Sequence, residues 1–544
     1  MSNLLQKASI ITTSTAYNTG KILSVKPVQT YGPELVTNGD FATDSGWTKG
    51  SNWTISGGKA NSNGSGLIYQ TSVSYVDGKT YKVTFDANIT SGAGTVRLGN
   101  TSTSTSFANG ANEFYLQTNT NNTTRYIFFQ GISLNGSIDN VSVKEALNAD
   151  FDFTRNSSAT RVGSNGLIQD VASNIPRIDY TGGVGSWKFE PQRTNSITYS
   201  EDFSQSYWTK SGSSTVSNNA ISPDGTLNAS KLIENSSNSA HQIFRNTVTA
   251  SGNFCNTIFV KAAERSKIRV NYGNSNHEIK FDLSNGTIIS QVNATGNIVS
   301  MLNGWFKCTM SWTSASVSAQ YLLLGILDDN GNVSYTGDGS SGVYIFGAQF
   351  ESGSYPTSYI RSNSGSATTR LADVANNAGS SNLINSTEGV LYAEFSTISS
   401  DAVNSRYIGI SNGSADNRIA IRQPSGVDNQ VSFFAVVGGS VQVNLTHTLN
   451  ILNFNKIAIK YKVNDFALWV NGIELATDTS GTVPSEGTFN KLDFANFNGS
   501  SLPFEGNTKS VAVFKEALTD LELECLVSWM SFSDLGINFG YTVE

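Results

Sequence analysis

Hydrophobic and polar residues alternate along most of this chain in short runs and rarely recur at helical spacing. Residues 81–87, YKVTFDA, show the pattern, because the apolar Tyr81, Val83 and Phe85 are separated by polar neighbours. A period of two predicts a β-strand with one buried and one solvated face. Turns rich in Gly, Asn and Ser separate the runs. The sequence therefore predicts an all-β fold of tandem antiparallel β-sandwich or jelly-roll modules with one short C-terminal helix.

One passage of the sequence occurs twice. Residues 34–49 read ELVTNGDFATDSGWTK, and residues 190–210 read EPQRTNSITYSEDFSQSYWTK. Both contain a Glu, a Thr-Asn pair, an acidic residue before Phe, and Trp-Thr-Lys. A repeated opening at the spacing of a domain predicts an array of similar β modules.

The 544 residues suit three or four domains. The predicted parts are an N-terminal anchoring segment at 1–32, a jelly-roll carbohydrate-binding-like module at 33–146, a β-rich connector at 147–195, a second jelly-roll-like module at 196–374, a third sandwich at 375–530 and a C-terminal tail at 531–544. Residues 1–32 carry apolar pairs but are too short to form a core. We expect them to lie against another subunit or an assembly; the alternative is a frayed terminus.

Two further local patterns predict how the chain is arranged. The segment SSATRVGS at 157–164 is echoed by GSATTRLAD at 365–373. Two similar segments on either side of one module predict that the incoming and outgoing chain run side by side; chance similarity of Ser/Thr-rich loops is the alternative. Residues 518–530 predict the one helix, with Thr519 as N-cap, Glu522 completing a capping box, and the leucines and Val527 as its apolar face.

Composition narrows the classes of partner. Charged residues make up only 14% of the chain, the net charge is −7, and no basic block is present. These features argue against nucleic acid and anionic membranes as partners, although one local Arg or Lys cluster would suffice for an acidic glycan. Three cysteines are too few for a disulfide framework, and no signal peptide or transmembrane stretch is recognisable. We therefore expect assembly in a reducing cytoplasm and release by lysis.

Several segments resemble known families. Residues 33–146, from ELVTNGDFATDSGW to IDNVSV, resemble the galactose-binding-like jelly roll of carbohydrate-binding modules, and residues 196–360 resemble it more loosely. The third module, with IKYKVNDFALWVNGIELA and KSVAVFKEALTDLELECLV, resembles a concanavalin A-like (laminin G-like) sandwich. The connector, FDFTRNSSATRVGSNGLI…PRIDY…FEPQRTN, is similar to a segment that recurs in structural proteins of tailed phages.

These resemblances imply a structural component of a phage virion: a tail fibre, head fibre or receptor-binding appendage, assembled in the host cytoplasm. The implied partners are other virion proteins, bound through the N-terminal segment, and host surface polysaccharide or protein. A homotrimer is expected, with no nucleic acid bound and no membrane insertion. The alternatives are a secreted bacterial carbohydrate-binding adhesin and a virion-borne polysaccharide depolymerase.

The jelly-roll resemblance implies a structural calcium site. Asn38, Asp40 and Asp139 match the opening segment and the last-strand carboxylate that hold Ca²⁺ in such modules, and hard oxygen ligands suit that ion. The alternative is that Asp139 caps a turn and Asp40 is solvated.

Sugar binding in such modules relies on exposed aromatic rings. The candidates are Trp53, Tyr69 and Tyr115, with Trp53 expected to be exposed. Trp47 and Trp208 recur at equivalent places in the two copies, which favours a role as core anchors.

No catalytic pattern is recognisable. The three histidines, His241, His277 and His447, stand in unrelated contexts, and no nucleophile elbow or metal-ligand spacing is present. A glycosidase carboxylate pair cannot be identified from spacing. The sequence therefore predicts a protein that is not an enzyme.

Overall fold

The computed structural model describes most of the chain and is almost entirely β-structure. The described residues are 4–27, 30–71, 73–76, 79–99, 105–118, 125–147, 149–249, 251–272, 277–314, 318–400, 403–499 and 501–528. Within them, only two short α-helices accompany the antiparallel sheets. The predicted all-β fold class is confirmed. Neither helix in these ranges is long and apolar enough to cross a bilayer. The predicted C-terminal tail, residues 531–544, lies outside the described residues.

The chain divides into two compact units: unit 1 combines residues 1–25 with 150–544, and unit 2 is residues 26–149. The N-terminal part of unit 1 contains α1 Leu4–Lys7, β1 Ala8–Thr13, β2 Tyr17–Asn18 and β3 Lys21–Ile22. Unit 2 contains β4 Thr30–Glu34, β5 Thr48–Lys49, β6 Trp53–Ser56, β7 Lys59–Thr71, β8 Thr80–Leu98, β9 Thr105–Phe107, β10 Gly110–Gln117 and β11 Tyr126–Leu147.

The strands of unit 2 form one eight-stranded antiparallel sheet around a single core. The long strands β8 and β11 pair along most of their length, with β10 beside β8 and β7 beside β11. Bulges interrupt β11 after Gly131 and after Asp139. Bulges bend a strand, and the inward residues collect in one cluster that includes Phe85, Phe107 and Phe129.

The rest of unit 1 begins with the connector and the second module. The connector strands are β12 Phe151–Thr154, β13 Ala159–Val162, β14 Ile168–Val171, β15 Ile178–Asp179, β16 Ser186–Phe189 and β17 Arg193–Asn195. The second-module strands are β18 Thr209–Ser211, β19 Ser213–Ile221, β20 Leu227–Glu234, β21 Asn238–Thr249, β22 Gly252–Ala262, β23 Lys267–Tyr272, β24 His277–Asp282, β25 Thr287–Val292, β26 Thr295–Ser300, β27 Trp305–Ser314, β28 Ser318–Leu327, β29 Ser334–Thr336 and β30 Gly342–Ser352. They form two sheets whose buried side chains share one core.

The third module completes unit 1. Its elements are β31 Thr368–Arg370, β32 Val374–Asn376, β33 Glu388–Thr397, β34 Arg406–Ser411, β35 Arg418–Gln423, β36 Gln430–Val437, β37 Ser440–Thr448, β38 Asn455–Lys462, β39 Phe466–Val470, β40 Ile473–Asp478, β41 Lys491–Asp493, β42 Gly506–Phe514 and α2 Asp520–Ser528. One sheet has the order β15-β16-β42-β33-β38-β39-β40, and the other is β37-β36-β35-β34-β41.

Part of the predicted anchoring segment, residues 1–32, packs against the chain itself. Strand β1 pairs with β42, which lies at the far end of the sequence. Leu4, Ala8 and Ile11 are buried in the core cluster that includes helix α2. These three residues therefore belong to the core of the third module.

The predicted side-by-side arrangement around the second module is confirmed. Strand β17, which leads into the module, pairs with β31, which leaves it, and Arg193 lies opposite Arg370. The Ser157 hydroxyl also accepts a hydrogen bond from the Leu371 N–H at 2.9 Å. The two echoed segments thus meet in space.

The repeated opening has the same geometry in both copies. The indole Nε1 of Trp47 donates to the Asn38 carbonyl at 3.0 Å, and the indole of Trp208 donates to the Tyr199 carbonyl at 3.0 Å. Each carbonyl lies nine residues before its Trp. Each indole also packs on the Phe of its own copy at 5.1 Å between ring centres. Both tryptophans are buried, so they are core anchors, as predicted.

Candidate functional site

A cleft of about 630 Å³ lies on the solvated face of the unit 2 sheet. Four strands and the residue before β6 contribute to it. The lining residues are Asn52, Trp53, Thr54, Asn61, Ser62, Asn63, Asn88, Thr90, Asn135, Gly136 and Ser137. Five of these eleven residues are asparagines, and none carries a charge.

The register of the sheet explains why these side chains converge. Thr54 lies opposite Asn61, Asn61 opposite Ser137, and Ser137 opposite Asn88. Directly paired residues present their side chains on the same face of an antiparallel sheet. Four polar side chains therefore form one row across β6, β7, β11 and β8.

A second row runs beside the first. Asn63 lies opposite Asn135, and the Asn63 N–H donates to the Asn52 carbonyl at 3.0 Å. Asn63, Asn88 and Asn135 are exposed, and among the described residues none of their amide groups has a hydrogen-bond partner. Each amide can both donate and accept. The cleft therefore presents unpaired amides on a rigid sheet.

Trp53 does line the cleft, but the prediction that it is exposed is wrong. Its side chain is 4% exposed and belongs to the core cluster of unit 2. The alternation of strand β6 turns Thr54 to the solvent and Trp53 inward, opposite Ser62. A side chain at Gly66 would clash with the Ser51 carbonyl, so this glycine lets the chain before β6 lie close to β7. Trp53 thus lines the cleft while most of its side chain lies in the core.

The structure does not bring the other two predicted aromatics to the cleft. Tyr69 is half-buried on β7, opposite Phe128. Tyr115 is 45% exposed on β10, opposite Lys82. Lys82 precedes Asn88 by six residues on β8, which is about 20 Å of strand.

Tyr115 belongs instead to a small polar cluster. Its hydroxyl lies 2.8 Å from the Tyr31 hydroxyl and 3.2 Å from Glu113 Oε1. The hydrogen bond with Tyr31, together with desolvation, raises the pKa of Tyr115 to about 12. The phenol is therefore neutral at physiological pH and is held by its neighbours.

The residues predicted to bind calcium each make local hydrogen bonds. Asn38 closes its own loop, because its Nδ2 donates to the Thr43 and Ser45 carbonyls at 2.7 Å. Asp40 accepts from the Ala42 N–H at 3.3 Å, and Asp139 accepts from the Asn140 N–H at 2.7 Å. Within the described ranges, no three or more His, Cys, Asp and Glu residues are grouped to hold a metal ion. Calcium binding by Asn38, Asp40 and Asp139 stays a prediction.

Sequence reasoning missed the asparagines of the cleft, although a signal is present. Asn is depleted in β-strands because it favours turns. Here Asn61 and Asn63 stand two residues apart on β7, Asn88 is on β8 and Asn135 is on β11. Amides at the solvated positions of adjacent strands are unusual and indicate a hydrogen-bonding surface.

No family model matches the sequence, and no curated protein matches it. Solved structures are similar in fold. The CBM40 domain of the Ruminococcus gnavus IT-sialidase is 16% identical with a TM-score of 0.24, and the match covers 28% of this chain and 93% of that chain. Domains LG4-5 of the mouse laminin alpha1 chain are 13% identical with a TM-score of 0.19, covering 52% and 90%. A carbohydrate-binding module and laminin LG domains thus occur among the similar structures. At these identities the likeness concerns the fold alone.

A third similar structure contradicts one prediction. A mutant of Trypanosoma rangeli sialidase that displays trans-sialidase activity is 9% identical with a TM-score of 0.24, and the match covers 91% of this chain and 85% of that chain. Such sialidases are enzymes. The prediction that this chain is not an enzyme is therefore corrected and is not kept. The likeness identifies no catalytic residue here.

Proposed function

We propose that unit 2 binds a neutral glycan in the amide-lined cleft. The observation that carries this proposal is the pair of polar rows across four strands, which contain several unpaired amides and no charged group. A sugar hydroxyl donates and accepts hydrogen bonds, as an amide does. A cleft of about 630 Å³ has room for a short stretch of glycan.

The rigidity of the sheet supports the same proposal. The side chains stand on paired strands, so the backbone needs no ordering when a ligand binds and only the amide side chains lose conformational entropy. An open polar cleft with no exposed aromatic ring gives weak affinity at a single site. Linked copies on one particle act at high effective concentration and raise the overall affinity.

We further propose that the chain is a fibre or receptor-binding appendage of a tailed-phage virion that contacts host surface glycan. The similarity of the connector, residues 147–195, to a recurrent segment of phage structural proteins supports this location. Detection of the chain in purified particles by mass spectrometry, with its stoichiometry, tests it. Recovery from a bacterial culture without particles would favour the secreted adhesin instead.

Glycan binding is tested on the full chain with a neutral surface polysaccharide. We expect the Asn63→Ala/Asn135→Ala double variant to lose about tenfold or more in affinity, since two hydrogen bonds are removed. Asn219→Ala is the matched control, because Asn219 is exposed on β19, outside the cleft. Equal affinity of the double variant and the control would refute the proposal that this cleft binds the glycan. Sizing the polysaccharide after incubation shows whether the protein also shortens it.

A further inference from the structure

A second cleft, of about 680 Å³, lies within unit 1. Two connector loops, around residues 161–166 and 179–183, form one side of it. Residues 356–359 and the second-module strands β22 and β27 form the other side. The cleft is thus built from the connector that the sequence analysis singled out, and the proposed glycan cleft of unit 2 does not involve it.

Two lysines line this cleft. Lys188 Nζ lies 3.5 Å from Asp179 Oδ1. Lys307 Nζ donates to the Thr357 carbonyl at 3.2 Å, and no carboxylate among the described residues lies within 4.0 Å of it. Lys307 is therefore a half-buried cation without a direct ion pair in the described part of the chain.

The acidic residues of the cleft are already occupied. Glu190 is buried and lies 2.8 Å from both Arg177 and Arg370. Burial raises the pKa of Glu190, but the charges of the two arginines outweigh it and hold the pKa well below its ordinary value. Asp179 accepts two backbone N–H groups in addition to facing Lys188. Both carboxylates therefore act on Lys307 only through longer-range attraction and not as direct partners.

The local charge balance is positive. Among the described residues, the ionic network beside the cleft and the cleft itself contain seven cations and four carboxylates: Arg155, Arg161, Arg177, Arg193, Arg370, Lys188 and Lys307, against Asp179, Glu190, Glu351 and Asp373. Burial, and then the charge of Lys188, lowers the pKa of Lys307 and outweighs the attraction of Glu190, Glu351 and Asp179, which raises it. Like charges at one cleft disfavour each other, so an additional anion near them is favoured. Such arrangements concentrate at functional sites.

We infer that this cleft binds an acidic sugar unit, with its carboxylate held by Lys188 and Lys307. Apolar side chains on the wall, including Ile168, Phe259 and Met301, suit the hydrocarbon face of a pyranose ring. The Tyr180 hydroxyl lines the same cleft and can hydrogen-bond to ring hydroxyls. The site lies in a different unit from the neutral-glycan cleft, so either can fail without the other.

The experiment is a calorimetric titration of the full chain with glucuronate, glucose and glucose 6-phosphate. Glucose differs from glucuronate only at the carbon that carries the carboxylate. We expect glucuronate to bind at millimolar concentration and glucose not to bind. We expect Lys307→Met and Lys188→Met each to weaken glucuronate binding about tenfold or more, since each removes a charged hydrogen bond. Lys515→Met is the control, because Lys515 is exposed after β42, outside the cleft.

A thermal scan of each variant separates binding from folding. Lys307→Met is expected to melt at an equal or higher temperature, because a half-buried charge without a direct ion pair is removed. If that variant does not fold, Lys188→Met carries the test. Equal binding of glucose, tighter binding of glucose 6-phosphate, no binding of glucuronate, or lysine variants that bind as the control does would each overturn the inference.

Discussion

Five charged side chains lie buried where the connector meets the outgoing chain of the second module. Asp373 pairs with Arg155 at 3.0 Å and with Arg177, and Glu190 pairs with Arg177 and Arg370 at 2.8 Å. Each carboxylate is shared by two arginines, so neither acid is left unpaired. Removing one member of such a network leaves a buried charge without its partner, which is strongly destabilising.

We therefore expect Arg177→Met to lower the free energy of unfolding of unit 1 by about 3–5 kcal/mol, because Glu190 and Asp373 each lose a partner. Urea denaturation followed by tryptophan fluorescence measures this change. Lys462→Met is the matched control, since its ion pair with Glu388 is partly exposed and such pairs contribute at most about 1 kcal/mol. Equal effects of the two variants would contradict the account.

Asp224 makes the stability of the folded chain depend on pH in the acidic range. Burial raises the pKa of Asp224, but hydrogen bonds from Ser222, Thr226 and Arg361 outweigh it and lower the pKa to about 2, from 3.8. A carboxyl whose pKa is lower in the folded state stabilises the fold above its unfolded pKa and loses that effect as the pH falls through the folded value.

The melting temperatures of the wild type and of Asp224→Asn should therefore differ by a constant amount above about pH 4, and the difference should shrink toward pH 2. Thermal scans across this range measure it. Asp428→Asn is the control, since Asp428 is exposed and has no hydrogen-bond partner among the described residues. A difference that does not change with pH would contradict the assignment.

Among the elements, strand β1 is the one whose role the pattern of the sequence did not reveal. Its residues lie opposite Ser510 to Phe514 of β42, some five hundred positions away. Local periodicity predicts a strand but carries no information about a partner at that separation. The apolar pairs of the segment indicated that it packs on another surface, and that surface belongs to the same chain.

We expect Ile11→Ala to lower the free energy of unfolding of unit 1 by about 2–5 kcal/mol, because it leaves a cavity in the core shared with α2. Val25→Ala, at a residue that is 52% exposed, should change it by less than about 0.5 kcal/mol. Chemical denaturation distinguishes the two. If Ile11 served only an external partner, its variant would unfold as the control does.

Two other elements show what local rules can predict. Helix α2 has the expected capping box, since the Thr519 N–H donates to Glu522 Oε2 at 3.0 Å. Of its predicted apolar face, however, Leu521 is 62% exposed. Alternating residues on either side of 463–465 form a hairpin of β38 and β39. The Asn-Gly step at Asn330 and Gly331, which is also typical of hairpins, makes a turn without one, because β28 and β29 each pair with β21.

At the scale of the whole molecule, one unit is inserted into the sequence of the other, so the units do not simply follow each other along the chain. The first and last parts of the sequence share one sheet, so unit 2 is an insertion into unit 1. The chain leaves unit 1 and returns to it at neighbouring points, since the Ser24 N–H donates to Asp150 Oδ1 at 2.7 Å. The chain likewise enters the second module through β17 and leaves it through β31, and these two strands are paired.

This arrangement predicts that unit 2 can be removed. We expect a chain in which a short Gly-Ser linker replaces residues 26–149 to keep the thermal transition of unit 1, because a few residues span the gap between Ser24 and Asp150. The same chain should lose binding to neutral glycan and keep binding to glucuronate. Calorimetry measures both properties. Loss of the unit 1 transition would show that the two units depend on each other for folding.

The sequence by itself determined the fold class, the individual strands, the capped helix and the repeated Phe–Trp anchors. These features follow from interactions between residues close in the chain: the alternation of burial along a strand, the capping box of Thr519, and an indole that bonds nine residues back. The echoed segments at 157–164 and 365–373 also indicated one long-range contact, because similarity between distant segments is itself visible in the sequence.

Only the tertiary structure decided where the functional side chains meet. The amide rows need the register of β6, β7, β11 and β8, and a shift of one residue would turn those side chains into the core. The same alternation placed the side chain of Trp53 in the core, and not at the surface. Lys188 and Lys307 come from parts of the chain more than a hundred residues apart, and only the packing of the connector on the second module places them at one cleft.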